Sequence, residues 1–310
     1  MTPPVKTLYI IGNGFDLHHG LHTSYADFKE WLEYCHPMLY EEFITIYGKQ
    51  VLKGEWWANF ESNLGELDMV SFYNKYHTEV PDDVWEEAKK HNTTNLPPNP
   101  IWQPAGERLR SLYFFLDVVM RQWLGEMTRT LPYGKRIAIQ QDNSFFITFN
   151  YTNVLERLYR IPPKKILHIH GSLADNNDLI FGHSQSYSLF EHQCDMKGQW
   201  FPSDRDAHEI GMVFGSKEKL PYEHITKHGA IFQSLSRVQQ IYVYGLSFSE
   251  IDMPYLTYIQ SIVPNANWFV SYFGNEGKEK IIQALKTHIC WKKTDIYWVT
   301  LDELMLEKKL

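Results

Sequence analysis

The chain has 310 residues, 44% hydrophobic and 15% aromatic, enough to bury a sizeable core in one large domain or two modest ones. Its formal net charge is −7, and basic residues occur only as short doublets such as Lys164-Lys165 and Lys292-Lys293, which excludes a dominant nucleic-acid-binding role. Three cysteines, Cys35, Cys194 and Cys290, stand far apart without C-x-x-C spacing, arguing against a structural zinc or disulfide framework and for a reducing cytosol.

Pro3, Pro4 and a single lysine precede the first apolar run, so a signal peptide is not expected. The most apolar helix candidate, Leu112 to Leu124, is broken by Asp117 and Arg121 and is too short to span a bilayer. A cytoplasmic chain without membrane contact is the expectation. The uncharged run from Leu8 ends in Gly12-Asn13-Gly14-Phe15-Asp16, as a buried parallel strand does when it empties through a tight turn into a helix. Two glycines one residue apart let backbone approach a ligand, and N–H groups at such a turn favour a phosphate. Asp16 is placed to accept hydrogen bonds from a ribose hydroxyl or from the loop. The third glycine of the dinucleotide fingerprint is replaced by Leu17, so an ordinary glycine turn capped by Asp16 stays open as the alternative. The His18-His19 doublet reads as turn surface, with reach to the ligand as the alternative.

Ser24 is an N-cap candidate for a helix whose Phe28, Trp31, Leu32 and Cys35 share one face. From Met38 to Thr130 no strand is expected. Trp56, Trp57, Phe60, Leu64 and Leu67 recur at helical intervals around Glu61, which we read as capping or bracing this region, with a catalytic role as the alternative. Trp85 to Lys90 reads as a surface helix, Asn92 to Pro104 as an irregular loop, and Arg108 to Met127 as a long helix. Residues 38–130 therefore form a helical insertion in a nucleotide-binding α/β domain made of 1–37 and 131–310.

The sheet resumes at Ser144 to Phe149 and breaks at Asn150-Tyr151-Thr152. A helix carrying Val154, Leu155, Leu158 and Tyr159 follows, then a strand from Lys165 to His170 that ends at Gly171. His168 reads as a satisfied core histidine and His170 as functional, although two histidines two residues apart also suit a metal pair. Leu179 to Gly182 reads as a short strand, and His183 to Pro221 as a long loop or lid. His183, His192 and Cys194 lack further ligands at useful spacing, so no metal is expected. Helix returns from His224 to Leu235. The strand Gln240 to Tyr244 ends at Gly245-Leu246-Ser247, with Asp252 expected to brace that turn. The helix Pro254 to Ile262, strand Trp268 to Phe273, helix Lys278 to Leu285 and strand Ile296 to Thr300 complete an alternation that predicts a doubly wound, mainly parallel α/β sheet.

Four strand ends stop at small or polar residues able to touch a ligand, and in such a sheet ligands lie beyond the carboxyl ends of the strands. Gly12-Asn13-Gly14-Phe15-Asp16, Gly20 to Tyr25, Trp57-Ala58-Asn59-Phe60-Glu61, Phe149-Asn150-Tyr151-Thr152, His168-Ile169-His170-Gly171 and Gly245 to Asp252 resemble the abortive-infection AbiH family of bacterial phage-defence proteins. The similarity runs over nearly the whole chain. That family resembles, more distantly, the sirtuin-like NAD-binding domains that degrade NAD in anti-phage systems.

The resemblance implies a Rossmann-like, sirtuin-like sheet with NAD as substrate or ligand. It assigns Gly12, Asn13, Gly14, Phe15, Asp16, Tyr151, Gly171, Gly245 and Ser247 to binding. Asn150 would position water or ribose, and His170 would handle a ribose hydroxyl or activate water. Thr152 departs from the aspartate usual after Asn-Tyr, and the zinc-binding cysteine module of true sirtuins is absent, which argues against protein deacylation. The implied activity is an NAD glycohydrolase, held quiet until infection by assembly with itself or by a defence-system partner. The alternative is a non-catalytic NAD or ADP-ribose sensor that signals through the insertion. A nuclease would need an acidic metal cluster for which only Asp16 offers a strand-end start.

Overall fold

The computed structural model describes residues 4–76, 90, 105–175, 179–185, 205–288 and 296–306. They fall into two compact units. One comprises Met1–Phe28, Met120–Ile180 and Leu220–Leu310, the other Lys29–Val119 and Phe181–Lys219.

The first unit is built on a six-stranded sheet: β1 Thr7–Ile11, β2 Ser144–Thr148, β3 Ile166–His168, β4 Gln240–Tyr244, β5 Asn267–Ser271 and β6 Ile296–Val299. The strand order is β3-β2-β1-β4-β5-β6 and all five pairings are parallel, so the expected doubly wound α/β sheet is present and wholly parallel. This is the Rossmann order, with its switch point between β1 and β4. Alternation along each strand splits the side chains between two cores. Leu8, Ile10, Ile147, Ile241, Val243 and Trp268 pack with Leu256 and Ile259 of the helix Met253–Ile262 and with Ile281 and Leu285 of the helix Gly274–His288. Tyr9, Ile11, Phe146 and Tyr244 pack instead with Phe15, Leu155 and Leu158. On that second face five register-paired rings, Phe146, Tyr9, Tyr242, Phe269 and Tyr297, stack in a row at 4.8, 5.0, 4.6 and 4.9 Å. Cross-strand aromatic pairs of this kind fix register as well as add stability.

Several elements differ from expectation. A helix, Asn13–His18, starts directly after Gly12, ahead of the helix Tyr25–Cys35. The latter opens on a capping box: Ser24 Oγ accepts from Asp27 N at 3.1 Å, and Ser24 N donates back to Asp27 Oδ2 at 2.9 Å. β3 stops at His168, so His170 sits in the following turn rather than on the strand. Leu179 to Gly182 forms no strand, and His183 instead makes an isolated parallel bridge to Glu218. The expected loop from His183 to Pro221 contains the helix Arg205–Gly215, whose Ala207, Ile210, Val213 and Phe214 are buried at helical spacing inside a polar stretch. The helix expected from His224 to Leu235 is two, Pro221–Lys227 and Gly229–Ser234. Trp85 to Lys89, Asn92 to Pro104, His192, Cys194 and Cys290 lie outside the described residues.

The second unit is helical among its described residues, with Pro37–Tyr47, Gly54–Ala58, Phe60–Leu64, Met69–Tyr76 and Arg205–Gly215 as elements. Pro37 opens its helix where a missing N–H costs nothing. Trp57 and Phe60 stack at 5.2 Å, and Trp57 Nε1 donates to Val51 O at 2.7 Å, so the large ring is buried with its one donor satisfied. Glu61 forms an ion pair with the buried Lys219, the bracing role its setting suggested. Lys217 Nζ donates to Asp117 Oδ1 at 2.7 Å and stands 4.2 Å from the Phe181 ring centre. Among the described residues no helix is long and apolar enough to cross a membrane.

Candidate functional site

The four motif-bearing strand ends belong to β3, β2, β1 and β4, which are consecutive neighbours in the sheet. Gly12-Asn13-Gly14, Asn150-Tyr151, His170-Gly171 and Gly245-Leu246-Ser247 therefore line one carboxyl edge that includes the switch point.

At the switch point the turns after β1 and β4 interlock. Gly12 N donates to Tyr244 O at 2.9 Å and Gly14 N to Gly245 O at 2.7 Å. A Cβ on Gly12 would lie 2.6 Å from Leu246 Cα, and one on Gly14 2.8 Å from Gly245 Cα. The close approach these glycines permit is thus to the neighbouring turn, and the Gly14 N–H is spent on a carbonyl. Gly245 has φ +67, and a Cβ there would stand 2.1 Å from Phe15 N, so both conformation and space demand glycine. Its own N–H takes the Ser271 hydroxyl oxygen at 2.8 Å.

Asn13 is exposed but latched: its Nδ2 donates to Thr23 O at 2.7 Å and its Oδ1 accepts from Thr23 Oγ1 at 2.8 Å. Phe15 is fully buried in the core beneath β1. His19 is not turn surface. It is buried, donates from Nδ1 to Phe15 O and accepts at Nε2 from the Tyr159 hydroxyl, both at 2.7 Å. That pattern suits a neutral ring, and burial pulls its pKa down to about 4. A surface reading failed because the short helix after Gly12 turns this residue inward.

Asp16 is 1% exposed and accepts from Thr152 Oγ1 at 2.6 Å through Oδ2, while Oδ1 has no hydrogen-bond partner among the described residues. Burial pushes its carboxyl up to about 7. The Thr152 hydroxyl, the nearby Asn150 amide and His168 pull the other way. Thr152, the departure from the usual aspartate, is thus the donor that holds Asp16. Asn150, 7% exposed, donates from Nδ2 to Gly12 O at 3.1 Å, and its Oδ1 also lacks a partner among the described residues.

His168 is committed at both nitrogens. Nδ1 donates to Asn150 O at 3.1 Å and Nε2 pairs with Glu156 Oε1 at 2.9 Å. His170, 3% exposed, lies among the rings of Phe149, Tyr151 and Tyr255, with Nε2 3.7 Å from Asp252 Oδ1. Tyr151 donates from its hydroxyl to Ile180 O at 3.2 Å. Gly171 takes φ +81, as its place in the turn requires, and Ser247 is exposed.

The sheet edge thus brings Asp16, Asn150, Tyr151, His170 and the glycine turns side by side. The Glu156 partner of His168 and the Asp252 link to His170 were not legible from sequence: the first joins residues 12 apart and the second residues 82 apart, whereas Ser249 reaches Asp252 within one turn of a motif already in view.

A search among curated proteins finds no match to this chain. The family model "Bacteriophage abortive infection AbiH" matches residues 8–272, from β1 to the end of β5 and so across all four strand-end motifs. The chain belongs to the AbiH family, and with it to anti-phage abortive infection.

Proposed function

We propose that the chain is an NAD glycohydrolase whose strand-end edge cleaves the bond between nicotinamide and ribose during abortive infection. The observation that carries this reading is the alignment of the four motifs on adjacent parallel strands, with buried acceptor oxygens on Asp16 and Asn150 at their ends that have no partner among the described residues. Buried polar atoms without partners are rare and point to a missing donor. Ribose hydroxyls are donors of that kind. Nicotinamide in NAD is already a cationic leaving group, so its departure needs little acid help. The attacking water bonds to the ribose carbon as the C–N bond breaks, and nicotinamide leaves neutral. The Asn150 amide orients that water, and His170 accepts its proton. No metal takes part in the step.

Incubating pure protein with NAD and following released nicotinamide tests this. Asn150→Ala and His170→Ala should each slow turnover by about a hundredfold or more. Equal turnover in wild type and both variants removes the pair.

A second reading, a sensor that binds NAD or ADP-ribose without cleaving it, is favoured by the burial of Asn150 and His170 and by Thr152 in place of the usual aspartate. Calorimetry showing tight binding with no nicotinamide released would select it. Either reading leaves room for a second copy or a defence-system protein that controls the site, which comparing activity before and after assembly would reveal.

A further inference from the structure

We propose that Asp252 orients the His170 imidazole and stabilises the proton it takes up, so that the edge works through a histidine–aspartate pair rather than a lone histidine. Asp252 precedes the helix Met253–Ile262 yet makes no side-chain cap bond to it, so helix capping does not explain the carboxylate. Its two oxygens are divided. Oδ2 accepts from Ser249 Oγ at 2.8 Å, and Oδ1 faces His170 Nε2 at 3.7 Å. Both side chains are nearly out of solvent, at 4% and 12% exposure. A carboxylate removed from water is tolerated beside a group that can carry the opposite charge, and the His170 ring becomes such a group when it takes up a proton.

The rings of Phe149, Tyr151 and Tyr255 around His170 keep the local dielectric low, which strengthens the pull of Asp252 on the ring. Asp252, Tyr151 and Tyr255 are titratable groups that face His170. Burial, and after it the Asp252 charge, pushes the Tyr255 phenol well above its usual range, so it stays neutral. The Ser249 hydroxyl fixes the carboxylate, the carboxylate fixes the ring, and a proton taken up by the ring is stabilised where it lands. Asp252 is a positioning residue in this scheme, since it acts through His170.

The activity arm of the test rests on the NAD reading, and the titration arm does not. In the full chain with 15N-labelled histidine, the protonation midpoint of His170 is followed by NMR for wild type, Asp252→Asn and Ser249→Ala. Asp252→Asn should lower that midpoint by about one pH unit or more. It should also cut kcat for NAD at least about tenfold with KM little changed, the mark of an interaction made in the transition state. Ser249→Ala should shift the midpoint the same way by less. An unchanged midpoint in folded variants overturns the pair and leaves Asp252 a brace of its turn, whatever happens to kcat. If Asp252→Asn fails to fold, Ser249→Ala decides alone by the same criterion. A wild type that leaves NAD intact while the midpoint still falls sinks the NAD reading and keeps the pair.

Discussion

The helical unit pairs its sheltered ammoniums with carboxylates, whereas the carboxyl edge of the sheet leaves buried acceptors open. In the helical unit, Lys219 is 6% exposed and meets Glu61, and Lys217 spans both oxygens of Asp117 at 2.7 and 2.8 Å. Both of these ammoniums meet a carboxylate, and the pairs tie the stretch after the helix Arg205–Gly215 to the rest of its unit. At the carboxyl edge of the sheet, Asp16 has the Thr152 hydroxyl on one oxygen and no partner among the described residues on the other, and Asn150 Oδ1 is in the same position. A buried acceptor left without a donor costs about 1–3 kcal/mol. Charge that is matched within its own unit explains itself as architecture. Acceptors left unmatched at a switch point are what a ligand with hydroxyl donors would complete.

The contrast is broken hardest at Lys219. Replacing it with methionine leaves the half-buried Glu61 without its ammonium, which should cost about 3 kcal/mol. Adding Glu61→Leu should recover most of that loss, because a matched pair exchanged for apolar side chains is close to neutral. Urea unfolding of the two single variants and the double variant reads the coupling. Additive losses would mean that the pair is not a unit. On the sheet side the corresponding break is Gly245→Ala. Its φ of +67 and the 2.1 Å approach of an added Cβ to Phe15 N predict a loss of roughly 2–3 kcal/mol. A thermal midpoint unchanged from wild type would show that the interlocked turns are looser than their contacts imply.

The architecture was readable because strand and helix periods alternate cleanly after Ser144, and because each apolar run is too short for a helix and lacks charge. That the four strand ends share one edge followed from their parallel direction, whereas their standing as immediate neighbours in the order β3-β2-β1-β4 was not legible in the sequence. Individual roles were less readable. Gly12 and Gly14 signalled close backbone approach, and the sequence could not say that the approaching chain is Gly245. His19 looked like surface because it stands in a polar doublet just after a glycine turn, whereas its inward turn depends on Tyr159, 140 residues away. The helix Arg205–Gly215 hid in a polar, aromatic-spotted stretch whose buried positions sum to a face only when read at a period of 3.6.

The smallest expected effect is also the most specific to the unmatched site. Burial raises the Asp16 carboxyl in the folded chain to about 7, above the roughly 3.9 of an unfolded aspartate. Between those two values the folded state holds the extra proton, so stability falls as pH rises through that window and is lowest above it. Asn at this position cannot ionise and can still accept from Thr152. Asp16→Asn should therefore leave stability near pH 4 almost unchanged and raise it above pH 7, by about 1–2 kcal/mol after allowing for relaxation around the charge. Differential unfolding at pH 4 and pH 8 measures this. A variant equally stable or weaker at pH 8 would mean that Asp16 is already matched in the folded chain, and the difference between the two units would disappear. If the gain is seen and nicotinamide release or NAD binding is lost with it, the carboxylate is being kept at the expense of stability, as a residue reserved for a ligand would be.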